Sequence, residues 1–327
     1  MIRILLAQTR LSIRVGSCTS DWFTTNLGAP QGDSLSPLLF VCFLAHALHT
    51  LRDVASRPTP PISIHGLPME WAYADDVDFI DEKLDPLTAL LPLAKAHLEK
   101  FNLKINQSKT EHTHVFLAKK HAKNERGNEP WRKSRLLGSL LCSTQDILHR
   151  ITLGNAAFQN FWKLWMRRNR ITLQKRLRVY DALVVSVMLY NCSSWAAPKN
   201  TLEKLDAAHR KHLRRILGVG WPKAHISNEE LYKRCKSTPL SQRVMASRRQ
   251  MLGHILRLPE DSPGQCALHF AVVESQQYQA RRGRHCTNLL DVLRSDLQTA
   301  SIHLKTSEDY RKVKEIAQDK HKWRCQW

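Results

Sequence analysis

Residues 10–28 alternate loosely between apolar and polar side chains and contain Thr, Val, Ser and Phe, a pattern that predicts short strands. Ser36-Pro37 predicts a helix start, because Ser suits the N-cap and Pro loses nothing at the first helical position. Leu38, Leu39, Cys42, Ala45 and Leu48 follow at helical spacing. Arg57 to Pro68 is rich in Pro and Gly and predicts a loop. In the next segment, EWAYADDVDFI, apolar side chains flank an Asp-Asp pair on both sides, which predicts strand, tight turn, strand. A helix is expected from about Asp85 to Asn102, burying Leu87, Leu90, Leu91, Leu93, Ala94, His97 and Leu98. Thr113 to Lys119 predicts another strand. After the charged loop KKHAKNERGNEP, Trp131 to Leu141 could return as its partner.

After about Ile151 the period becomes helical throughout. Phe158, Phe161, Trp162 and Trp165 share one face of a first helix. Leu173, Leu177, Tyr180, Leu183, Val184 and Val187 mark a second. Leu202, Leu205, Leu213, Ile216 and Leu217 mark a third, and Val244, Met245, Met251, Leu252, Ile255 and Leu256 a fourth. These stripes are read as core rather than as base-stacking platforms. Basic residues lie elsewhere on each wheel: Arg167 and Arg168; Arg176 and Arg178; Arg210, Lys211, Arg214 and Arg215; Arg248 and Arg249.

Charge sharpens this division. Residues 1–112 hold 10 basic and 12 acidic groups, whereas residues 113–327 hold 40 and 17. The later region is a polycation, and its field attracts polyanions, nucleic acid above all. A basic surface with no partner, or an anionic membrane, is the alternative. The N-terminal apolar run is too short for a signal peptide, and the sequence shows no stretch approaching the roughly 18 apolar residues of a membrane span. The 8 Cys have no regular spacing. A soluble, intracellular chain with reduced thiols is therefore expected. Cys235, His254, Cys266, His285, Cys286, His321 and Cys325 match no compact zinc pattern.

The strongest chemical signal is Tyr73-Ala74-Asp75-Asp76. Adjacent carboxylates raise each other's pKa, and apolar neighbours disfavour ionisation further. A divalent cation relieves both penalties, and Mg²⁺ prefers one or two carboxylates plus substrate phosphates. A solvated turn is the alternative, since Asp is common in turns. GAPQGDSLSPLLF (Gly28–Phe40) precedes this pair and LKINQSKTE (Leu103–Glu111) follows it.

The order PQG–LSPLLF, YADD, N-x-x-KTE resembles the palm of reverse transcriptases from LINE-type retrotransposons. LLGSLL (Leu136–Leu141) looks like the segment that follows the palm and contacts the primer end. AAFQNFWKLW, LYNCSSW, HLRRILGVGW and RRQMLGHILRLP are similar to the family's helical region, and RRGRHCTNLLDVLRSDL and EIAQDKHKWR to the last blocks of its RTE-like branch. The likeness covers nearly all of the chain. It implies that Asp75 and Asp76 hold catalytic Mg²⁺ (or Mn²⁺), that Tyr73 sits at the primer terminus, and that Pro30, Gln31 and Gly32 line the template and nucleotide pocket. Lys109 would face the triphosphate, or else is a solvated surface Lys. The implied partners are an RNA template, a DNA primer and deoxynucleoside triphosphates, with no membrane, and the implied compartment is the nucleus.

The expected fold is α+β: a partial palm (1–115) of antiparallel sheet and helices, a palm–thumb hairpin (116–150), an all-helical basic thumb or connector (151–260) and a basic C-terminal tail (261–327). A palm of this family also uses an Asp on an earlier strand, within a run such as DF-x-x-AFD. No such run occurs, and Asp21 and Asp33 are the only acids before residue 50. The chain alone is therefore expected to polymerise poorly or not at all. A non-catalytic module for RNA or an RNA–DNA hybrid, or a translated retroelement remnant, stands as the alternative. In the tail, Arg284-His285 replaces the Arg-Pro usual in that block, and Leu289 or Leu290 stands where Trp is common.

Overall fold

A computed structural model describes residues 10–24, 32–57, 69–81, 84–113, 133–166, 171–220, 226–274 and 287–326. The chain divides into two compact units, residues 1–110 and 111–327. Both combine helices with small antiparallel sheets, so the fold is α+β with helix predominating.

In the first unit, β1 (Arg10–Leu11) pairs with β4 (Phe23–Thr24), and β2 (Arg14–Val15) pairs with β3 (Cys18–Thr19). α1 spans Ser36–Val54, with Leu35 rather than Ser36 at its cap and Pro in its first turn. β5 (Glu70–Tyr73) and β6 (Asp76–Phe79) form the expected hairpin, and α2 spans Leu84–Lys100. The core is small: Leu44, Leu48 and Leu51 of α1 meet Ala94 of α2, with Phe40, Val77, Phe79, Leu93, Leu103 and Ile105 around them.

The spacing of Leu38, Leu39, Cys42, Ala45 and Leu48 does not mark the buried face of α1, since of these five Leu48 alone is buried. Leu38, Cys42 and Ala45 lie exposed, while Leu44, Ala47, Leu48 and Leu51 are buried. The helix is apolar nearly all the way round, so periodicity has no polar face by which to orient it. For the same reason α1, at 19 residues and a mean hydropathy of 1.2, is long and apolar enough to cross a membrane, contrary to the sequence expectation. Its buried stripe gives it a place as a core helix, which passes the same test.

In the second unit, β7 (Arg135–Leu136) and β8 (Ser139–Leu140) form a second hairpin. The proposed strand from Thr113 to Lys119 falls almost wholly outside the described residues. α3 (Ser143–Phe161) runs straight through residue 150, where a boundary was expected, and ends in a wider turn at Trp162–Met166. α4 (Leu173–Tyr180) continues through a similar turn at Asp181–Val185. α5 (Lys199–Leu217) ends on Gly218, whose φ of +74° suits glycine. α6 (Asn228–Cys235) and α7 (Leu240–Arg257) follow.

The expected tail is folded over its described part. α8 (Pro263–Val272), α9 (Leu289–Gln298), α10 (Ser307–Gln318) and α11 (Lys320–Cys325) build a second core with the later half of α7. Asn288 with Asp291, and Thr306 with Asp309, close reciprocal capping boxes at α9 and α10. The backbone bonds that Asp309 accepts hold its carboxyl below the usual range.

α7 belongs to both cores of this unit. Its residues at intervals of four, Leu240, Val244, Arg248, Leu252 and Leu256, are all buried. Leu240 and Val244 pack in the first core with Phe158, Tyr180 and Trp195, whereas Leu252 and Leu256 pack in the second with Leu297, Val313 and Trp323. At Gly253 a Cβ would collide with the indole of Trp323 on α11, so only glycine fits there.

Candidate active site and nucleic-acid surface

The β5–β6 register pairs Glu70 with Phe79, Trp71 with Asp78, Ala72 with Val77 and Tyr73 with Asp76, leaving Ala74-Asp75 as a two-residue tip. Opposed residues of an antiparallel pair face the same side. Val77 and Phe79 pack onto the core. Trp71, Tyr73, Asp76 and Asp78 therefore share the other face, where Trp71 is 47% and Tyr73 68% exposed. Asp75 and Asp76 are exposed, and Asp78 is half-buried. Burial, and then the charge of Asp76, raises the pKa of Asp78. Nothing in the sequence reading singled out Asp78. Its signal was its place two residues after Asp76 on a strand.

The base of this hairpin is tied to the end of α1. Arg52 donates from Nη2 and Nε to the two carboxylate oxygens of Glu70, at 2.6 and 3.2 Å. Arg57 stands 3.7 Å from Asp81, just beyond β6. Glu70 and Arg57 are largely buried, so both pairs fix the hairpin's base while its tip remains in solvent.

Among the described residues no group of three or more His, Cys, Asp or Glu is arranged to hold a metal ion. The tip offers the two neighbouring, solvent-facing carboxylates of Asp75 and Asp76. That donor set fits Mg²⁺, which keeps most of its ligands from water and substrate phosphates and needs only one or two carboxylates from the protein.

The other implied pocket residues stand on loops of the same unit. Gly32 is exposed with φ +96°, and nothing lies within 4 Å of where a Cβ would point. Its glycine is thus explained by backbone conformation rather than by a protein neighbour. Lys109 is exposed in a turn organised by Asn106, whose carbonyl accepts the Lys109 and Thr110 N–H groups. Pro30 and Gln31 lie outside the described residues.

The predicted basic contacts separate into distinct groups. Lys211 and Arg215 are exposed on α5, and Arg210 and Arg214 are half-buried. Arg215 lies 4.3 Å over the ring of Trp162 and donates to Gln159 at 3.2 Å, while Arg214 donates to Asn228 at 2.7 Å. Arg249 is half-buried, and its Nη2 donates to Thr299 at 3.5 Å. Arg167 and Arg168 lie outside the described residues. Arg248 is a correction. It is 2% exposed and donates to both carboxylate oxygens of Asp296, at 2.7 and 3.1 Å, and to the Trp195 carbonyl at 3.3 Å. Its guanidinium has no phosphate-facing surface. Its place between Val244 and Leu252 on the apolar stripe was the missed signal.

A second polar network lies in the first core of this unit. The Tyr180 hydroxyl is 2.8 Å from His209 Nδ1 and 3.3 Å from His212 Nδ1. His209 Nε2 reaches Ser237 at 3.2 Å, and His212 Nε2 reaches Asn155 at 2.9 Å. Burial lowers the pKa of His209 to about 3 and that of His212 to about 4. Both are neutral near pH 7 and serve packing, with His212 stacked 4.1 Å from Phe158.

No solved structure matches the chain. Over 253 residues it is 22% identical to a Drosophila melanogaster protein described as a probable RNA-directed DNA polymerase from transposon X-element. The aligned region covers 72% of this chain and 26% of that protein, so the chain spans about a quarter of the curated relative's length. Residues 2–146, which include the Tyr73–Asp76 hairpin, α1 and α2, match the reverse transcriptase (RNA-dependent DNA polymerase) family.

Proposed function

We propose that this chain is part of a retrotransposon RNA-directed DNA polymerase of the LINE-type, RTE-like kind. The observation that carries the reading is the β5–β6 hairpin: within the region similar to reverse transcriptases, it buries one face and presents Tyr73, Asp75 and Asp76 at a solvent-facing end. Residues 1–115 are the palm portion, and the helices of residues 151–260 are the thumb and connector. Asp75 and Asp76 hold the cations. When bound, Mg²⁺ or Mn²⁺ supplies activation of the primer 3′-hydroxyl and charge neutralisation at the leaving pyrophosphate. Tyr73 lies against the primer terminus, and Gly32, with Pro30 and Gln31, borders the incoming nucleotide. Lys109 offers a positive charge to its triphosphate. The Leu136–Leu141 hairpin lies against the 3′ end of the growing strand, and Lys211 and Arg215 take backbone phosphates.

Primer extension on an RNA template, with Mg²⁺ and then Mn²⁺, tests this. The chain is compared with an Asp75→Ala, Asp76→Ala variant. The expected result is weak incorporation at most, which the variant loses while keeping salt-sensitive template binding. Incorporation that survives in the variant would remove the two carboxylates from the chemistry. The strongly basic balance of residues 113–327 favours one second reading, a module that holds RNA or an RNA–DNA hybrid without chemistry. Absence of incorporation from the unaltered chain, together with affinity that falls steeply with salt, would select it.

A further inference from the structure

The β7–β8 hairpin is held from behind in an unusual way. Its register pairs Arg135 with Leu140 and Leu136 with Ser139, leaving Leu137-Gly138 as the tip. Both tip residues have positive φ, +48° and +77°. For Leu137 that is a strained conformation, which persists only where surrounding structure over-determines it. The surroundings do so. The Tyr190 hydroxyl donates to the Leu137 carbonyl at 3.0 Å. Arg150 donates to the Gly138 carbonyl and, at 3.2 Å, to the Ser139 hydroxyl, while its guanidinium stacks 4.4 Å over the Tyr190 ring. Asn191, itself at φ +55°, donates to the same hydroxyl at 3.1 Å. Asp146, wholly buried, accepts the Leu140 N–H at 3.0 Å and the Trp195 indole N–H at 2.8 Å.

What this scaffold presents outward is apolar. Leu136, Leu137 and Leu141 are 42–44% exposed. Burial accounts for most of the bonds beneath them, because buried Asp146 and Arg150 must find partners. It does not account for Tyr190. That residue is 49% exposed, so water would satisfy its hydroxyl, and the bond to Leu137 adds little to stability. What that bond does is fix the carbonyl of the strained residue.

We infer that Tyr190 and Arg150 are positioning residues for the Leu136–Leu141 hairpin, setting its tip so that the leucine side chains pack against the terminal sugar and base of a nucleic-acid strand. The inference rests on the polymerase reading above and adds a purpose for LYNCSSW: its Tyr and Asn hold the hairpin tip, and its Trp braces the aspartate behind it. Nucleic acid is favoured over a polypeptide because the exposed Arg135 on β7 and Lys133 just before it offer charge for the adjoining phosphate.

The test compares the affinity of the full chain for an RNA–DNA hybrid with a recessed DNA 3′ end against the same hybrid with blunt ends, for the unaltered protein, Tyr190→Phe and Leu137→Ala. Melting temperature is read in parallel. The unaltered protein is expected to prefer the recessed end. Tyr190→Phe should cut that preference about fivefold, in keeping with loss of one hydrogen bond, with blunt-end affinity and melting temperature unchanged. Leu137→Ala should cut it at least as far. A preference that Tyr190→Phe leaves intact overturns the positioning role while the polymerase reading stands. A parallel fall in both affinities and in melting temperature overturns it too, by making Tyr190 merely structural. If the unaltered protein binds neither hybrid, the polymerase reading itself falls, and this inference with it.

Discussion

The two hairpins are built alike and used oppositely. Each has a two-residue tip whose first residue is not glycine yet has positive φ, Ala74 at +52° and Leu137 at +48°. At β5–β6 the tip carries exposed carboxylates, and the fixing contacts, Arg52 to Glu70 and Arg57 to Asp81, sit at the base. At β7–β8 the tip itself is pinned, charged groups are buried behind it, and apolar side chains face out. Charge placed in solvent is available to a ligand and adds little to folding. Charge placed in the interior is costly unless fully paired, and once paired it dictates geometry. The first hairpin offers its charge; the second uses charge as a frame.

The frame extends deep into the second unit, and its far end gives the largest expected effect. Trp195 joins Asp146, behind the hairpin, to Arg248, whose other bonds run to Asp296 on α9. Arg248→Ala leaves Asp296 buried without its two-point guanidinium partner and should destabilise the protein by about 3–5 kcal/mol. Urea denaturation measures this. A loss below about 1 kcal/mol would mean that the interior charges are replaceable and the contrast between the hairpins is one of placement only.

The neutral histidines of the first core probe the same unit by pH. Unfolded, His209 and His212 bind protons below about pH 6.5. Folded, they stay neutral until about 3 and about 4. The unfolded state thus binds more protons below pH 6.5, and stability is lost as pH falls through that window. By pH 5 the loss should be about 2 kcal/mol for each histidine, since each pKa unit is worth about 1.4 kcal/mol. Denaturation midpoints between pH 7 and pH 5 check this, with His212→Asn expected to flatten the slope by about half. A slope that His212→Asn leaves unchanged would assign the acid sensitivity to other groups.

These effects also mark what the sequence could reveal. The β5–β6 hairpin was legible because strand alternation breaks at Asp75-Asp76, and the core helices were legible because Phe158, Tyr180, Leu213 and Val244 each belong to a separate apolar stripe at helical spacing. The orientation of α1 was not, because a helix apolar on both faces carries no phase. Arg248 was assigned to the surface from its residue type although its spacing from Val244 and Leu252 put it inside. Asp146 and Trp195, joined by a hydrogen bond, lie 49 positions apart, and Arg150 and Tyr190, stacked guanidinium over ring, lie 40 apart; no local pattern announces such pairing. Binding residues on a solvent-facing turn leave a local signature; a buried frame is written across the whole chain.

The smallest stability effect tests the open hairpin and has opposite signs in its two readouts. Ala74 pays for a left-handed backbone that glycine adopts freely, and the penalty for a side chain there is about 1–2 kcal/mol. Ala74→Gly relieves it but adds freedom to the unfolded chain worth about 0.4–1 kcal/mol, so a net gain of about 0.5 kcal/mol is expected. The same freedom belongs to the folded tip, which no bond among the described residues pins as Tyr190 pins Leu137. Asp75 and Asp76 would then sample more orientations, and primer extension should fall several-fold while the urea midpoint rises slightly. If both rise together, Ala74 carries strain with no bearing on how the carboxylates are held, and the tip's geometry would have to come from bound nucleic acid and cation rather than from the hairpin itself.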